Sequence, residues 1–140
     1  MTLELHATPE EVMRAVEALR LFAREQQIPE KVIFELSLAL EESASNVVNH
    51  ALKRDARQTF RVNVERSADE LFVELRDRGP KFDPTATKDP GPKTEDDLPG
   101  GWGIQLVRRY TDEFCYRHEG GENILRFGKR LVPGAGETKI

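Results

Sequence analysis

Apolar and polar residues alternate over residues 2–6, where Leu3 and Leu5 stand between Thr2, Glu4 and His6, and this predicts a short strand. Thr8-Pro9-Glu10-Glu11 follows: Thr8 can cap a helix, Pro9 fits the first helical position and Glu11 completes a capping box. Val12, Val16, Leu19 and Ala23 recur at helical spacing, so the first helix runs to about Gln26. After Ile28-Pro29, the residues Ile33, Leu36, Leu40, Ala44, Val47 and Ala51 recur every three or four positions, the pattern of a strongly amphipathic helix. Its opposite face carries Glu35, Glu42, Asn46 and Asn49. A solvated face is the plainer reading, but two asparagines inside a helix run against their propensity, and they share that face with Glu42.

Beyond that helix the period changes to two. Phe60, Val62 and Val64 alternate, then Leu71, Val73 and Leu75, with Ser67-Ala68-Asp69-Glu70 between them, which predicts an antiparallel hairpin. Residues 85–99 hold Pro90, Gly91, Pro92 and Pro99 among charged residues and threonines, so they predict a mobile loop that packs no core. Ile104, Leu106, Val107 and Tyr110 suggest a helix opening right after Gly100-Gly101-Trp102-Gly103. Phe114 and Tyr116, a turn at Glu119-Gly120-Gly121, then Leu125, Phe127 and Leu131 predict a second hairpin. Residues 133–140 have no pattern and read as a flexible tail. The order of elements implies an α+β two-layer sandwich in one domain, about residues 1–132, with helices on one face of a mostly antiparallel sheet.

Composition narrows the function without naming it. The chain has 140 residues, 38% hydrophobic and 33% charged, enough for a core. A net charge of −4 argues against a dedicated nucleic-acid binder, which shows a basic stripe. The single cysteine, Cys115, excludes a disulfide framework and a cysteine zinc site within one chain. The apolar runs are far short of a membrane span and no signal peptide is visible, so the expected location is the cytoplasm.

Three segments carry candidate chemistry. Glycines at Gly100-Gly101-Trp102-Gly103, where a loop meets a helix, let backbone N–H groups approach a phosphate chain, although such loops are often only turns. The spacing is neither a Walker A loop nor a dinucleotide-binding fingerprint. Asp77 and Gly79 follow a strand; the structural reading is a turn, and the functional one is a carboxylate that accepts from a ligand amino group beside a backbone on which the ligand lies flat. Glu42 and Asn46 are neighbours on one helix face; a carboxylate there can act as base toward a hydroxyl, and an amide oxygen can complete a magnesium shell.

The joint order of these segments is more specific than any one of them. Leu38 to Ala51, with Glu42, Asn46 and His50, resembles the N box of the GHKL superfamily of ATPases; Asp77-Arg78-Gly79-Pro80-Lys81-Phe82-Asp83-Pro84 resembles its first glycine box, and Gly100 to Val107 its second. Within that superfamily the chain looks most like the anti-sigma factor serine/threonine kinases, over about residues 2–131. The resemblance implies the Bergerat fold, with a mixed, mostly antiparallel sheet. It implies binding of ATP and Mg²⁺, with Asn46 on the metal, Glu42 as catalytic base, and Asp77 on the adenine amino group above Gly79. Phe82, Gly101, Trp102, Gly103 and Ile104 would complete the nucleotide site, and residues 85–99 would be its lid. Asn123 stands where many relatives place an adenine-contacting threonine. The implied partners are a sigma factor and an anti-anti-sigma protein of the STAS type, with a homodimer as the working unit. Arg14 and Arg20 lie where such proteins dock partners, against the plainer reading of solvated charge. The alternative is a nucleotide-gated protein-binding regulator without significant kinase activity.

Overall fold

The structure, a computed structural model, describes residues 1–84 and 103–131; the expected loop 85–99 and tail 133–140 lie outside them. Strand β1 (Thr2–His6) leads into helix α1 (Pro9–Glu25). Thr8 caps α1 as expected: its hydroxyl accepts the N–H of Glu11 at 3.2 Å. The other half of the capping box is redirected. The Thr8 N–H already donates to the His6 carbonyl, so the Glu11 carboxylate accepts from the His6 N–H at 3.1 Å instead. Val12, Ala15, Val16, Leu19 and Ala23 form the buried stripe. Gln27, in the left-handed region at φ 58°, ends the helix, with Ile28 N–H donating to Ala23 and Gln27 N–H to Arg24, a Schellman closure. Arg14 and Arg20 form exposed pairs with Glu11 and Glu17 one turn back.

Helix α2 (Glu30–Asn46) continues the apolar repeat but does not stay α-helical to Ala51. Val47–Ala51 is a π-helical turn, closed by the Leu52 N–H donating to the Val47 carbonyl at 2.8 Å. The wider turn keeps Val47, Val48 and Ala51 buried and leaves Asn49 and His50 exposed. Asn49 is engaged away from Glu42: its Oδ1 accepts from Arg54 Nε at 2.8 Å.

Strands β2 (Thr59–Arg66) and β3 (Glu70–Asp77) form the first hairpin. Helix α3 (Gly103–Tyr110) precedes the second, β4 (Glu113–Glu119) and β5 (Glu122–Arg130). Gly120 and Gly121, at φ 57° and 77°, make the two-residue turn between them, where positive φ at both positions matches the strand twist. The sheet order is β1-β2-β3-β5-β4, and every pairing among the described strands is antiparallel. Thus β5, not β4, pairs with β3, placing Asn123 opposite Asp77. Leu5, Phe60, Val62, Val64, Leu71, Val73, Leu75, Leu125 and Phe127 face the helices and form the core with their buried stripes. The other face carries ion pairs, among them Arg61 with Glu122 and Arg126 with Glu70, and the Arg126 guanidinium lies 3.5 Å from the centre of the Phe72 ring.

One charge crosses the core. Glu35 is expected on a polar helix face, yet it is 9% exposed. That face looks toward the sheet, and Glu35 accepts from the Lys129 ammonium of β5 at 2.7 Å. Removing one partner strands the other in a low-dielectric site, so Lys129→Met should destabilise the fold by about 3 kcal/mol. Adding Glu35→Leu should recover most of that loss, read as a shift of the urea midpoint. A double variant no more stable than Lys129→Met would show that the cost comes from elsewhere.

Candidate functional site

The second half of α2, the end of β3, the segment after it, and the β4–β5 hairpin meet around a small cavity. Ser43, Asn46 and Val47 line it from the helix, Leu75 and Asp77 from β3, Phe82 and Pro84 from the following segment, and Tyr116, Asn123 and Leu125 from the hairpin. Its volume is about 20 Å³.

Asp77 is 4% exposed. Its Oδ1 accepts from the Gly79 N–H and from Asn123 Nδ2, both at 2.9 Å. Burial pushes its carboxyl above the ordinary aspartate value, and those two hydrogen bonds oppose the shift. No hydrogen bond to Oδ2 occurs among the described residues.

Asn123 is the fastener of this corner. Its Nδ2 also donates to the carbonyls of Pro80 at 3.0 Å and Gly79 at 3.3 Å. Its Oδ1 accepts from the Phe82 N–H at 3.0 Å and from the Tyr116 hydroxyl. Both polar atoms are therefore engaged, and the side chain ties the Asp77–Phe82 segment to the hairpin. Tyr116 gains a role that its alternation pattern did not reveal. The Phe82 ring stacks on His50, with centroids 6.0 Å apart and planes at 26°.

Gly79 is required by packing before any ligand is considered. A Cβ there would lie 2.6 Å from the Ala51 carbonyl oxygen, a backbone atom at the end of the π-helical turn. Gly79→Ala should cost about 2 kcal/mol in chemical denaturation, because the turn or the strand end has to move. A variant as stable as the wild type would sink that packing account.

Glu42 and Asn46 stand one turn apart on α2 and are both half-buried. Neither side chain has a hydrogen bond or ion pair among the described residues. Burial, and then the Glu41 charge beside it, pushes the Glu42 carboxyl above the ordinary value, toward that of a useful base. No cluster of three His, Cys, Asp or Glu that could hold a metal occurs among the described residues. Asn46 offers one neutral oxygen, the kind of donor that completes a shell made otherwise of phosphate and water oxygens.

Gly101 and Trp102 lie outside the described residues. Gly103 opens α3, and Ile104 is buried against the core, so its backbone N–H falls in the first turn, where N–H groups have no partner within the helix. Ser43 was not singled out by the sequence pattern. Its signal was a serine of modest helix propensity, one turn before Asn46 on the same face.

The profile of the histidine kinase-like ATPase domain family matches residues 5–129. The chain is 26% identical over 134 residues to the serine/threonine-protein kinase BtrW of Bordetella bronchiseptica, covering 94% of each. Its fold is similar to that of a Mycobacterium tuberculosis protein with RsbU and RsbW domains, at a TM-score of 0.62 and 17% identity, covering 93% of this chain and 32% of that longer one. It is similar also to a chain of the SiaB–SiaC complex of Pseudomonas aeruginosa, at a TM-score of 0.62 and 11% identity, covering 94% of this chain and 89% of the other. With the α+β sandwich, the Asp77 corner and the Glu42–Asn46 pair in place, the match over nearly the whole length means that the chain belongs to the histidine kinase-like ATPase domain family.

Proposed function

We propose that this chain is an ATP-dependent protein serine/threonine kinase that acts as an anti-sigma factor. It phosphorylates an anti-anti-sigma protein of the STAS type and, in the cytoplasm and as a homodimer, holds a sigma factor. The observation that carries this reading is the Glu42–Asn46 pair: a carboxylate raised by burial and an amide, both without partners among the described residues, one turn apart beside the Asp77 cavity. The 26% identity to a serine/threonine-protein kinase over nearly the full length of both chains supports it.

In this reading Asp77 Oδ2 accepts from the adenine amino group, and Asn123 acts through Asp77 by fixing its carboxylate. Phe82 and the glycine-rich start of α3, with Gly101, Trp102, Gly103 and Ile104, flank the nucleotide. Mg²⁺, when bound with ATP, supplies charge neutralisation at the phosphates, and Asn46 is the residue that would hold it. Glu42 takes the proton of the substrate hydroxyl as its oxygen bonds to the γ-phosphorus and the bond to the β-phosphate oxygen breaks, releasing ADP. Little covalent chemistry is asked of the protein beyond positioning and one base.

The test is incubation of the purified protein with Mg²⁺–ATP and a panel of STAS-type proteins, with phosphoserine or phosphothreonine read by mass spectrometry. Modification of one panel member, absent with Glu42→Gln, is the expected result. Nucleotide binding without transfer to any member would leave the nucleotide-gated binding module.

A further inference from the structure

One residue that lines the cavity beside Asp77, Ser43, carries a buried hydroxyl that nothing so far employs. Ser43 is 1% exposed and lines the cavity, and its Oγ has no hydrogen-bond partner among the described residues. A buried serine on a helix ordinarily turns its hydroxyl back to the carbonyl one turn earlier, here that of Ala39, and Ser43 does not. An unpartnered buried hydroxyl destabilises the free protein, and one on a residue that lines a cavity is placed to gain a partner that arrives with a ligand. Of the other polar groups that line the cavity, the Asn46 amide and Asp77 Oδ2 are also without partners among the described residues, and the proposed function already gives both a ligand atom, Mg²⁺ and the adenine amine; the rest are engaged. The Asn123 amide is engaged at both ends, the Tyr116 hydroxyl donates to it, and Asp77 Oδ1 accepts twice.

We propose that Ser43 reads the purine base: its hydroxyl donates, directly or through one held water, to the ring nitrogen adjacent to the amino group that Asp77 accepts. This rests on the nucleotide-site reading above and deepens it. A cavity of about 20 Å³ takes one water, which fits the bridged form. The ligand edge must offer a donor amine beside an unprotonated ring nitrogen, which is the N6/N1 edge of adenine. Guanine and hypoxanthine present a carbonyl oxygen to the Asp77 carboxylate and an N–H to Ser43, so Asp77 repels them. Ser43 adds the second contact, which fixes the base in its plane. The other orphaned hydroxyl among the described residues, Ser37, is 1% exposed as well but does not line the cavity, and it serves as an internal control.

The experiment is calorimetric titration of wild type, Ser43→Ala and Ser37→Ala with Mg²⁺–ATP and with its 1-deaza analogue, in which the N1 nitrogen is a C–H. Ser43→Ala should bind ATP about 10-fold more weakly than wild type. It should bind the 1-deaza analogue within about twofold of wild type, because the group Ser43 reads is already gone. Ser37→Ala should leave both affinities unchanged. Alanine removes an unsatisfied hydroxyl and favours the helix, so the variant should fold at least as well as the wild type, checked by its melting temperature. Equal weakening toward both nucleotides, or no weakening toward either, overturns the role of Ser43. A folded wild type that binds neither nucleotide overturns the nucleotide-site reading itself, and the two failures are distinct.

Discussion

Glu42→Gln is expected to slow phosphoryl transfer by about 100- to 10,000-fold, the usual contribution of a positioned general base. Mg²⁺–ATP affinity should stay within about threefold, since the substitution is isosteric and the lost interaction belongs to the transition state. The pH profile carries the sharper signature. Burial and Glu41 raise the Glu42 pKa, so the carboxylate that acts as base is present above that pKa and is lost as pH falls through it. Wild-type transfer should therefore drop on the acid side at a pH above the ordinary glutamate value, and the drop should vanish in Glu42→Gln. Single-turnover rates across a pH series, at saturating nucleotide, separate this from an effect on binding. A variant with wild-type transfer rates would remove Glu42 from the mechanism.

Asp77→Asn should weaken Mg²⁺–ATP binding by about 100-fold, because a charge-assisted acceptor is replaced by an amide whose N–H₂ meets the donor amine of the base. The fold should survive. The asparagine oxygen can still accept from the Gly79 N–H and the Asn123 amide, which are the bonds that hold the corner. Stability should even move the other way with pH. The folded-state pKa of Asp77 is raised by burial, so the folded protein binds more protons than the unfolded chain between the two pKa values. In that window wild-type stability falls as pH rises, and above it the full penalty of the buried charge remains. Asp77→Asn lacks this penalty and should gain on the wild type as pH rises through the window, most clearly at neutral pH. Urea unfolding at acidic and neutral pH, alongside calorimetric titration with nucleotide, checks both halves. A variant that loses binding only because it unfolds would contradict the assignment of Asp77 as a ligand group.

The contrast between Asp77 and Asn123 shows how the site divides its labour. Both are buried polar residues, opposite each other on adjacent strands. Asn123 makes its hydrogen bonds within the protein, whereas Asp77 keeps one oxygen free of partners among the described residues. The first therefore orders the corner, and in the proposed function the second recognises the ligand. Buried polar groups are costly unless satisfied, which makes the Ser43 hydroxyl, unpartnered among the described residues and in the lining of the same cavity, informative beside Asp77.

Much of this was legible in the linear sequence. The stripe Val12, Val16, Leu19 and Ala23 and the repeat from Ile33 to Ala51 placed both long helices, and the alternations at Phe60–Val64 and Leu71–Leu75 placed the first hairpin. Periodicity is a local property, set by which side chains a helix or strand turns to one face, so it can be read without knowing any partner. Glu42, Asn46 and Asp77 were legible because each breaks a local expectation or belongs to an ordered set of motifs. Three things were decided only in the folded chain. Glu35 looked like a solvated carboxylate until β5 brought Lys129 to it. Gly79 stood out as a ligand platform, and only the fold showed that the π-helical turn also sets the Ala51 carbonyl against it. Asn123 became the partner of Asp77 because β5 inserts between β3 and β4, joining residues 46 positions apart in the chain. Contacts of that span depend on strand order and on where a helix widens, and these follow from how whole faces pack together rather than from the spacing within any one of them.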